Sequence, residues 1–143
     1  MKVSTKGRYA IRAMLDLALQ PTECPTVIKD ISRRQGISSL YLEQLFGLLK
    51  AGGLAGSVQG PKGGFILTKP PSEISLLEIL QAMEGSTAAV SCVDNPMLCP
   101  RADSCAARKL WIKVKRAIDS VLESTTLEDL ARSEARSQVE TGQ

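Results

Sequence analysis

The chain has 143 residues and a mass of 15.4 kDa, which suits one compact domain with an appended arm. Its 43% of hydrophobic residues suffice for a core, and no apolar run is long enough to span a membrane. The N-terminus lacks the apolar stretch of a secretory signal, so we expect a cytoplasmic protein. There is no histidine, which excludes catalytic triads and Cys-His dyads. Since Walker, dinucleotide and paired-carboxylate motifs are also missing, we expect no enzyme.

The charge is distributed unevenly along the chain. Residues 1–70 carry ten Lys and Arg against four Asp and Glu, a net charge of +6, whereas residues 71–143 carry −3. A basic half is typical of proteins that bind the phosphate backbone of nucleic acids. On charge alone, an ordinary solvated basic surface explains it equally well.

The basic half predicts three helices, over 6–20, over 27–35 with Thr26 as N-cap, and from Ser38 or Ser39 to about Lys50. Gly36 ends the second of them and opens a tight turn. Two short helices joined in this way are typical of a helix-turn-helix, although other helical hairpins share the pattern.

A β-hairpin is predicted directly after these helices. Strands over 54–58 and 65–68 flank a glycine-rich loop that contains Pro61 and Lys62. A hairpin in this position indicates the wing of a winged helix. The alternative is a plain hairpin that binds nothing.

The second half begins with a capping box, Ser75 to Glu78, which opens a helix to about Glu84 that stops at Gly85. Residues 86–104 are irregular, and a long helix follows over 105–123 with one apolar side. That side favours pairing with a second copy over packing within its own chain. We therefore divide the chain into a DNA-binding domain (1–70), a helix and cysteine loop (71–104), a dimerisation helix with a short terminal helix (105–132) and a flexible tail (133–143).

Three of the four cysteines lie close together in the irregular segment. The first interval, from Cys92 to Cys99, is longer by one residue than the second, from Cys99 to Cys105. Structural zinc sites favour Cys-x-x-Cys pairs, and disulfides would leave an odd thiol. Three soft thiolates in a loop suit an iron–sulfur cluster, although the spacing alone does not decide it. Cys24 lies outside this group and is interpreted as a bystander.

Four motifs together resemble the Rrf-type winged-helix transcription regulators, and within them the IscR-type iron–sulfur cluster regulators. They are MKVSTKGRYA at 1–10, ISRRQGIS at 31–38, YLEQL at 41–45 and GPKGG at 60–64, and the likeness covers roughly residues 1–130. The resemblance implies a mainly α fold, a winged helix-turn-helix with a small β-hairpin wing and a long C-terminal dimerisation helix. It also implies a homodimer on double-stranded DNA at a palindromic operator, with the cluster altering which operators are bound.

By this resemblance the third helix is the recognition helix. Gln44 can read adenine, whereas Glu43 is repelled by phosphate unless it accepts a hydrogen bond from cytosine. The wing would approach the minor groove, although Gln59 stands where IscR-type regulators usually have arginine. The expected DNA contacts are Lys6, Arg8, Ser39, Tyr41, Glu43, Gln44, Gln59, Pro61 and Lys62.

The same resemblance makes Cys92, Cys99 and Cys105 cluster ligands. IscR-type regulators have equal intervals between these cysteines and a histidine three residues after the last one. Here that position is Arg108, which stays protonated and cannot ligate. The fourth ligand is therefore open among Asp94, Asp103, Ser104, a partner chain and a small molecule. A [2Fe–2S] cluster is favoured over the [4Fe–4S] cluster of related nitric-oxide sensors.

The leading hypothesis is thus a transcription regulator that senses cluster status, redox state or nitric oxide. A second hypothesis keeps the DNA binding but makes the cysteines a thiol/disulfide switch without a cluster. A third is a protein-interaction module that regulates an enzyme of sulfur metabolism.

Overall fold

A computed structural model describes residues 2–21 and 23–140 of the chain. The described part contains six α-helices and a two-stranded antiparallel sheet, which confirms the mainly α class with a small hairpin. None of these helices is long and apolar enough to cross a membrane. In chain order the elements are α1 (Thr5–Leu19), α2 (Ile28–Gln35), α3 (Ser39–Ala51), β1 (Ala55–Val58), β2 (Gly64–Leu67), α4 (Leu76–Glu84), α5 (Ala106–Ser124) and α6 (Leu127–Glu140).

Side-chain caps fix where most of these helices begin. The hydroxyl of Ser4 accepts from the Gly7 N–H (3.0 Å) at α1, and that of Ser38 accepts from the Tyr41 N–H (3.2 Å) at α3. At α4 the predicted capping box is confirmed, because Ser75 and Glu78 each bind the other's backbone N–H (3.2 and 3.0 Å).

Helix α2 corrects one prediction. The sequence predicts Thr26 as its N-cap, but the helix begins at Ile28 after Val27, without a side-chain cap. Thr26 instead pairs with Phe65, and the two residues exchange backbone hydrogen bonds of 2.9 and 2.8 Å. Its backbone therefore extends the hairpin rather than the helix.

The core lies between α1, α3 and α4, with α1 packed against α3, α4 and α6. The aromatic ring of Phe46 stacks on that of Phe65, with centroids 4.2 Å apart, and so fastens the hairpin to α3. The largest fully buried side chains are Phe46, Met14, Ile31, Leu42, Leu45, Leu49, Ile74, Ile79 and Leu127.

The hairpin approaches the start of α2 so closely that glycine is required. A Cβ on Gly64 would lie 2.5 Å from the carbonyl of Thr26. Beyond the strands, the loop closes through a hydrogen bond from the Gly63 N–H to the Gly60 carbonyl (2.9 Å). The Gly-rich tip is therefore set by close packing at its base as well as by the turn.

The C-terminal helices differ in their packing. No residue of α5 is buried, whereas α6 returns to the N-terminal half of the chain and buries Leu127 completely. Two backbone hydrogen bonds join the start of α4 to the junction between α5 and α6. The N–H of Leu76 donates to the carbonyl of Thr125 (3.0 Å), and the N–H of Leu127 donates to the carbonyl of Ile74 (2.9 Å).

Helix α6 is also longer than the short helix predicted to end near residue 132. It continues to Glu140, in a stretch rich in strong helix formers and supported by an ion pair between Arg132 and Glu128 (2.9 Å). Much of the predicted tail (133–143) is therefore helical, and residues 141–143 lie outside the described residues.

Candidate nucleic-acid interface and cysteine loop

A buried carboxylate joins the first two helices. Asp16, on α1, is 2% exposed and accepts hydrogen bonds from Arg34 Nε (3.0 Å), Arg34 Nη2 (2.7 Å) and Gln35 Nε2 (3.0 Å) of α2. The hydrogen bond to Asp16 raises the pKa of Arg34. Arg12 in turn donates to the side chain and the carbonyl of Gln35. This network fixes the angle at which α2 leaves α1.

The turn between α2 and α3 has the predicted geometry. Gly36 adopts the left-handed conformation (φ 66°) that ends α2, and Ile37 is buried at 3% exposure. The hydroxyl of Ser32 donates to the carbonyl of Ile37 at 2.6 Å. The predicted helix-turn-helix is therefore held on both sides of its turn.

Helix α3 has an inner and an outer face. Leu42, Leu45 and Leu49 are buried, whereas Glu43 and Gln44 are exposed and have no partner among the described residues. The outer face thus presents unsatisfied polar groups, as direct reading of base edges requires.

Two other candidate contacts lie at the edges of that face. Ser39 is half-buried at the first position of α3. Tyr41 is half-buried too, and its ring meets that of Tyr9 edge-on at 5.9 Å. Sequence reasoning does not single out Leu40 and Gly47, which are both exposed on the outer face.

The wing carries the remaining candidates of this region. Gln59, Pro61 and Lys62 are all exposed at its tip. At its base, Lys50 Nζ of α3 donates to Ser57 Oγ of β1 (3.0 Å). The wing and the candidate recognition helix are therefore fixed relative to each other.

The start of α1 carries two candidate phosphate contacts. Lys6 is half-buried, and Arg8 is exposed and donates to Thr5 Oγ1 (3.3 Å). Between them, Gly7 leaves room for Glu84, whose Oε1 would lie 2.6 Å from a Cβ on that glycine. Glu84 accepts from the backbone N–H (2.9 Å) and hydroxyl (2.5 Å) of Ser4, so its carboxylate neutralises the positive end of α1.

The three clustered cysteines lie on consecutive short elements between α4 and α5. Cys92 is in a 3-10 turn (Ser91–Val93), Cys99 follows another (Pro96–Leu98), and Cys105 directly precedes α5. All three are half-buried free thiols, whereas Cys24 is exposed. Across the described ranges, no three Cys, Asp or Glu side chains come together in a group that could hold a metal ion.

Arg108 holds this loop against α5. Its Nε donates to the carbonyl of Cys92 (2.9 Å), and its Nη1 reaches the carbonyl of Ala102 (3.5 Å). The residue that stands where IscR-type regulators have histidine therefore binds the loop backbone.

A second tie joins the beginning of the loop to α5. The hydroxyl of Thr87 donates to Asp119, which also accepts from Lys115 Nζ (2.7 Å). Partial burial raises the pKa of Asp119, but the bonds from Lys115 and Thr87 outweigh it, so the pKa lies below its ordinary value. Asp119 is therefore ionised at neutral pH and keeps the loop fastened.

The Rrf2 family, described as iron-dependent transcriptional regulators, matches residues 3–133 of the chain. The chain belongs to the Rrf2 family. It is 43% identical over 134 residues to the HTH-type transcriptional regulator IscR of Photorhabdus laumondii, covering 94% of this chain and 81% of that protein. Like these relatives, this Rrf2 protein is a DNA-binding transcription regulator.

Solved structures support the same assignment. The structure of T. potens IscR matches with a TM-score of 0.80 and 39% identity, over 96% of this chain and 91% of that one. That of CymR, the global cysteine regulator of B. subtilis, matches with a TM-score of 0.77 and 38% identity, over 93% and 98%. The expected winged-helix fold and the resemblance to the family are therefore confirmed.

Proposed function

We propose that this Rrf2 protein is a homodimeric regulator whose binding to a palindromic operator is controlled by an iron–sulfur cluster. Cys92, Cys99 and Cys105 are the proposed ligands. The observation that carries the proposal is the position of these free thiols. Their loop follows α4, whose last residue Glu84 binds Ser4 at the start of α1, and its backbone is bound by Arg108 of α5.

The donor set fits such a cluster in its chemistry. Half-buried thiols are partly shielded from solvent, and soft thiolates are the ligands that iron–sulfur clusters prefer. Because the three thiols are not gathered in the described structure, binding requires the loop to close around the cluster. Following the IscR resemblance, we propose [2Fe–2S], which would supply a redox-sensitive centre, with a ligand other than Arg108 in the fourth position.

The loop is placed to transmit a change of shape. Glu84, the last residue of α4, binds Ser4 at the start of α1, and Thr87, three residues later, binds Asp119 of α5. A rearrangement between Thr87 and Cys105 would act directly on the contact with Asp119 and, through the chain, on α4 and its contact with Ser4. It would move α1 relative to α5 and so change the separation of the two recognition helices in a dimer.

DNA binding is proposed to use the outer face of α3, the wing tip and the start of α1. Glu43 and Gln44 would read bases in the major groove, with Ser39 and Tyr41 at the edges of the contact. Gln59, Pro61 and Lys62 would lie at the minor groove, and Lys6 and Arg8 on phosphates.

Absorption and EPR spectra of anaerobically purified protein, with iron and sulfide counts, test the cluster. We expect a visible chromophore in the wild type and none in Cys99→Ala. Cys24→Ala is the matched control, because Cys24 is also a free thiol but is exposed and outside the loop; it should keep the full spectrum. A colourless wild type, or an unchanged Cys99→Ala spectrum, would contradict the assignment.

A thiol/disulfide switch is the second candidate, favoured by the absence of a gathered donor set in the described residues. The likeness to CymR supports it as well, because the structure of an oxidized form of Staphylococcus aureus CymR also matches this chain. If the protein is a thiol/disulfide switch, we expect it to be colourless after anaerobic purification and its DNA affinity to change on treatment with disulfide reagents. The same preparation therefore distinguishes the switch from the cluster.

A further inference from the structure

The outer face of α3 is centred on an apolar side chain. Leu40 is 69% exposed, the highest exposure of the large hydrophobic residues on this helix. It lies nine residues before the fully buried Leu49, about two and a half turns, and therefore on the opposite side of the helix. Glu43 and Gln44, three and four residues on, flank it on the same face.

We propose that Leu40 is a specificity-determining residue that packs against the 5-methyl group of a thymine in the major groove. The proposal rests on the use of α3 as the recognition helix. A leucine side chain has no hydrogen-bonding group, and the thymine methyl is the apolar group among the base edges of that groove. A contact with this methyl would distinguish thymine from cytosine.

The position of Leu40 suits this role. It is the second residue of α3, and residues near the N-terminus of a recognition helix are those that reach base edges. Gly47 lies about one turn beyond Glu43 and is exposed, and a Cβ added to it would meet no neighbouring atom within 4 Å. Because Gly47 has no side chain, DNA can approach the helix backbone closely at that position. Leu40 is then the apolar side chain that extends from this face towards the bases.

The test uses the full chain and a duplex enriched from a random-sequence pool by the wild-type protein. Each thymine of the enriched duplex is replaced in turn by uracil, which removes only the 5-methyl group. For one thymine in each half-site we expect binding to fall about fourfold, the effect of one buried methyl group. Leu40→Ala should bind the thymine and uracil duplexes equally, with the affinity that the wild type shows for uracil.

Leu48→Ala is the matched control, since Leu48 is 38% exposed at the edge of the same helix face. This variant should still distinguish thymine from uracil. Wild-type protein that is indifferent to uracil at every position, a Leu40→Ala variant that keeps the discrimination, or a Leu48→Ala variant that loses it would each overturn the assignment. Each of these three outcomes would leave the proposed DNA binding intact. If the wild-type protein enriched no duplex at all, the proposed DNA binding and the proposed role of Leu40 would both be wrong.

Discussion

Asp16 and Asp30 are two carboxylates of the N-terminal half that differ sharply in burial and in their hydrogen bonds. Asp16 is 2% exposed and accepts three hydrogen bonds, two of them from Arg34. Asp30 pairs with Arg33 at 3.4 Å, and both side chains are well exposed. A buried acceptor is costly to remove because its donors lose their partner, whereas exposed ion pairs contribute little.

We therefore expect Asp16→Ala to lower the free energy of unfolding by about 2–3 kcal/mol. Asp30→Ala, the matched control, should lower it by less than about 1 kcal/mol. Urea denaturation followed by circular dichroism measures both. Equal losses of stability in the two variants would show that the hydrogen bonds from Arg34 and Gln35 to Asp16 do not stabilise the packing of α2 on α1.

Arg108 is a second residue whose contacts can be tested by substitution. It donates to the carbonyl of Cys92, and by the resemblance to IscR-type regulators it occupies the position of their histidine. Arg108→His would exchange a backbone tie for a side chain that can ligate iron when neutral. We expect the cluster of this variant to decay several-fold more slowly in air, followed by the loss of visible absorption.

Arg108→Gln is the control for that experiment, because glutamine removes the charge without supplying an imidazole. Its cluster should decay at least as fast as that of the wild type. If both variants decay at the wild-type rate, residue 108 does not lie near the cluster.

Among the elements, those with local signals could be predicted from the sequence. The capping box at Ser75, the left-handed turn at Gly36 and the hairpin after α3 are all written in short stretches of residues, and the structure confirms them. The pairing of Thr26 with Phe65 could not be predicted, because it joins residues far apart in the chain.

The cysteine loop shows the same limit at the candidate site. Spacing and residue type identify Cys92, Cys99 and Cys105 as donors, but they do not predict how the loop between them folds. That fold depends on tertiary contacts such as Arg108 to Cys92 and Thr87 to Asp119, which periodicity does not encode. Likewise, an apolar stripe on α6 does not reveal that its partner is α1.

In helix α3, one glycine lowers the stability of the helix but lies on the proposed DNA-binding face. Gly47 lies in the helix interior, exposed, with open space around it. Gly47→Ala should therefore raise the free energy of unfolding by about 0.5–1 kcal/mol. Because the added methyl projects from the proposed DNA-binding face, we expect weaker binding to the enriched duplex.

Thermal unfolding and fluorescence anisotropy with labelled duplex measure the two effects on the same preparation. A stabilised variant that binds DNA as tightly as the wild type would show that Gly47 is not at the interface. Alanine at this position isolates the steric effect, since no packing contact exists there for it to disturb.

At the scale of the whole molecule, α5 is a helix whose apolar side chains are not covered by the rest of the described chain. It has 19 residues and none is buried, although Leu110 and Val121 are large apolar residues at 52% and 64% exposure. Trp111, the one tryptophan of the sequence, is 36% exposed beside Leu110. Such a stripe is stable in water when a second surface covers it, and a second copy of α5 offers the same stripe.

The double variant Leu110→Glu and Val121→Glu tests that pairing. Both side chains are exposed in the single chain, so the fold should persist, while charges in a paired apolar face should separate the copies. We expect a dimer for the wild type and a monomer for the variant in sedimentation equilibrium, with the emission of Trp111 shifted to longer wavelength.

The control places two glutamates on the other side of α5, as Lys109→Glu and Arg116→Glu, which lie away from the stripe by helical spacing and change the net charge even more than the test variant. This control should remain dimeric. A palindromic operator needs two recognition helices held at a fixed separation, so the monomeric variant should also lose most of its affinity for DNA. If the wild type were monomeric and still bound an operator tightly, the proposed pairing of two α5 helices would be wrong. The proposed coupling of the cysteine loop to the separation of the two recognition helices would then be wrong as well.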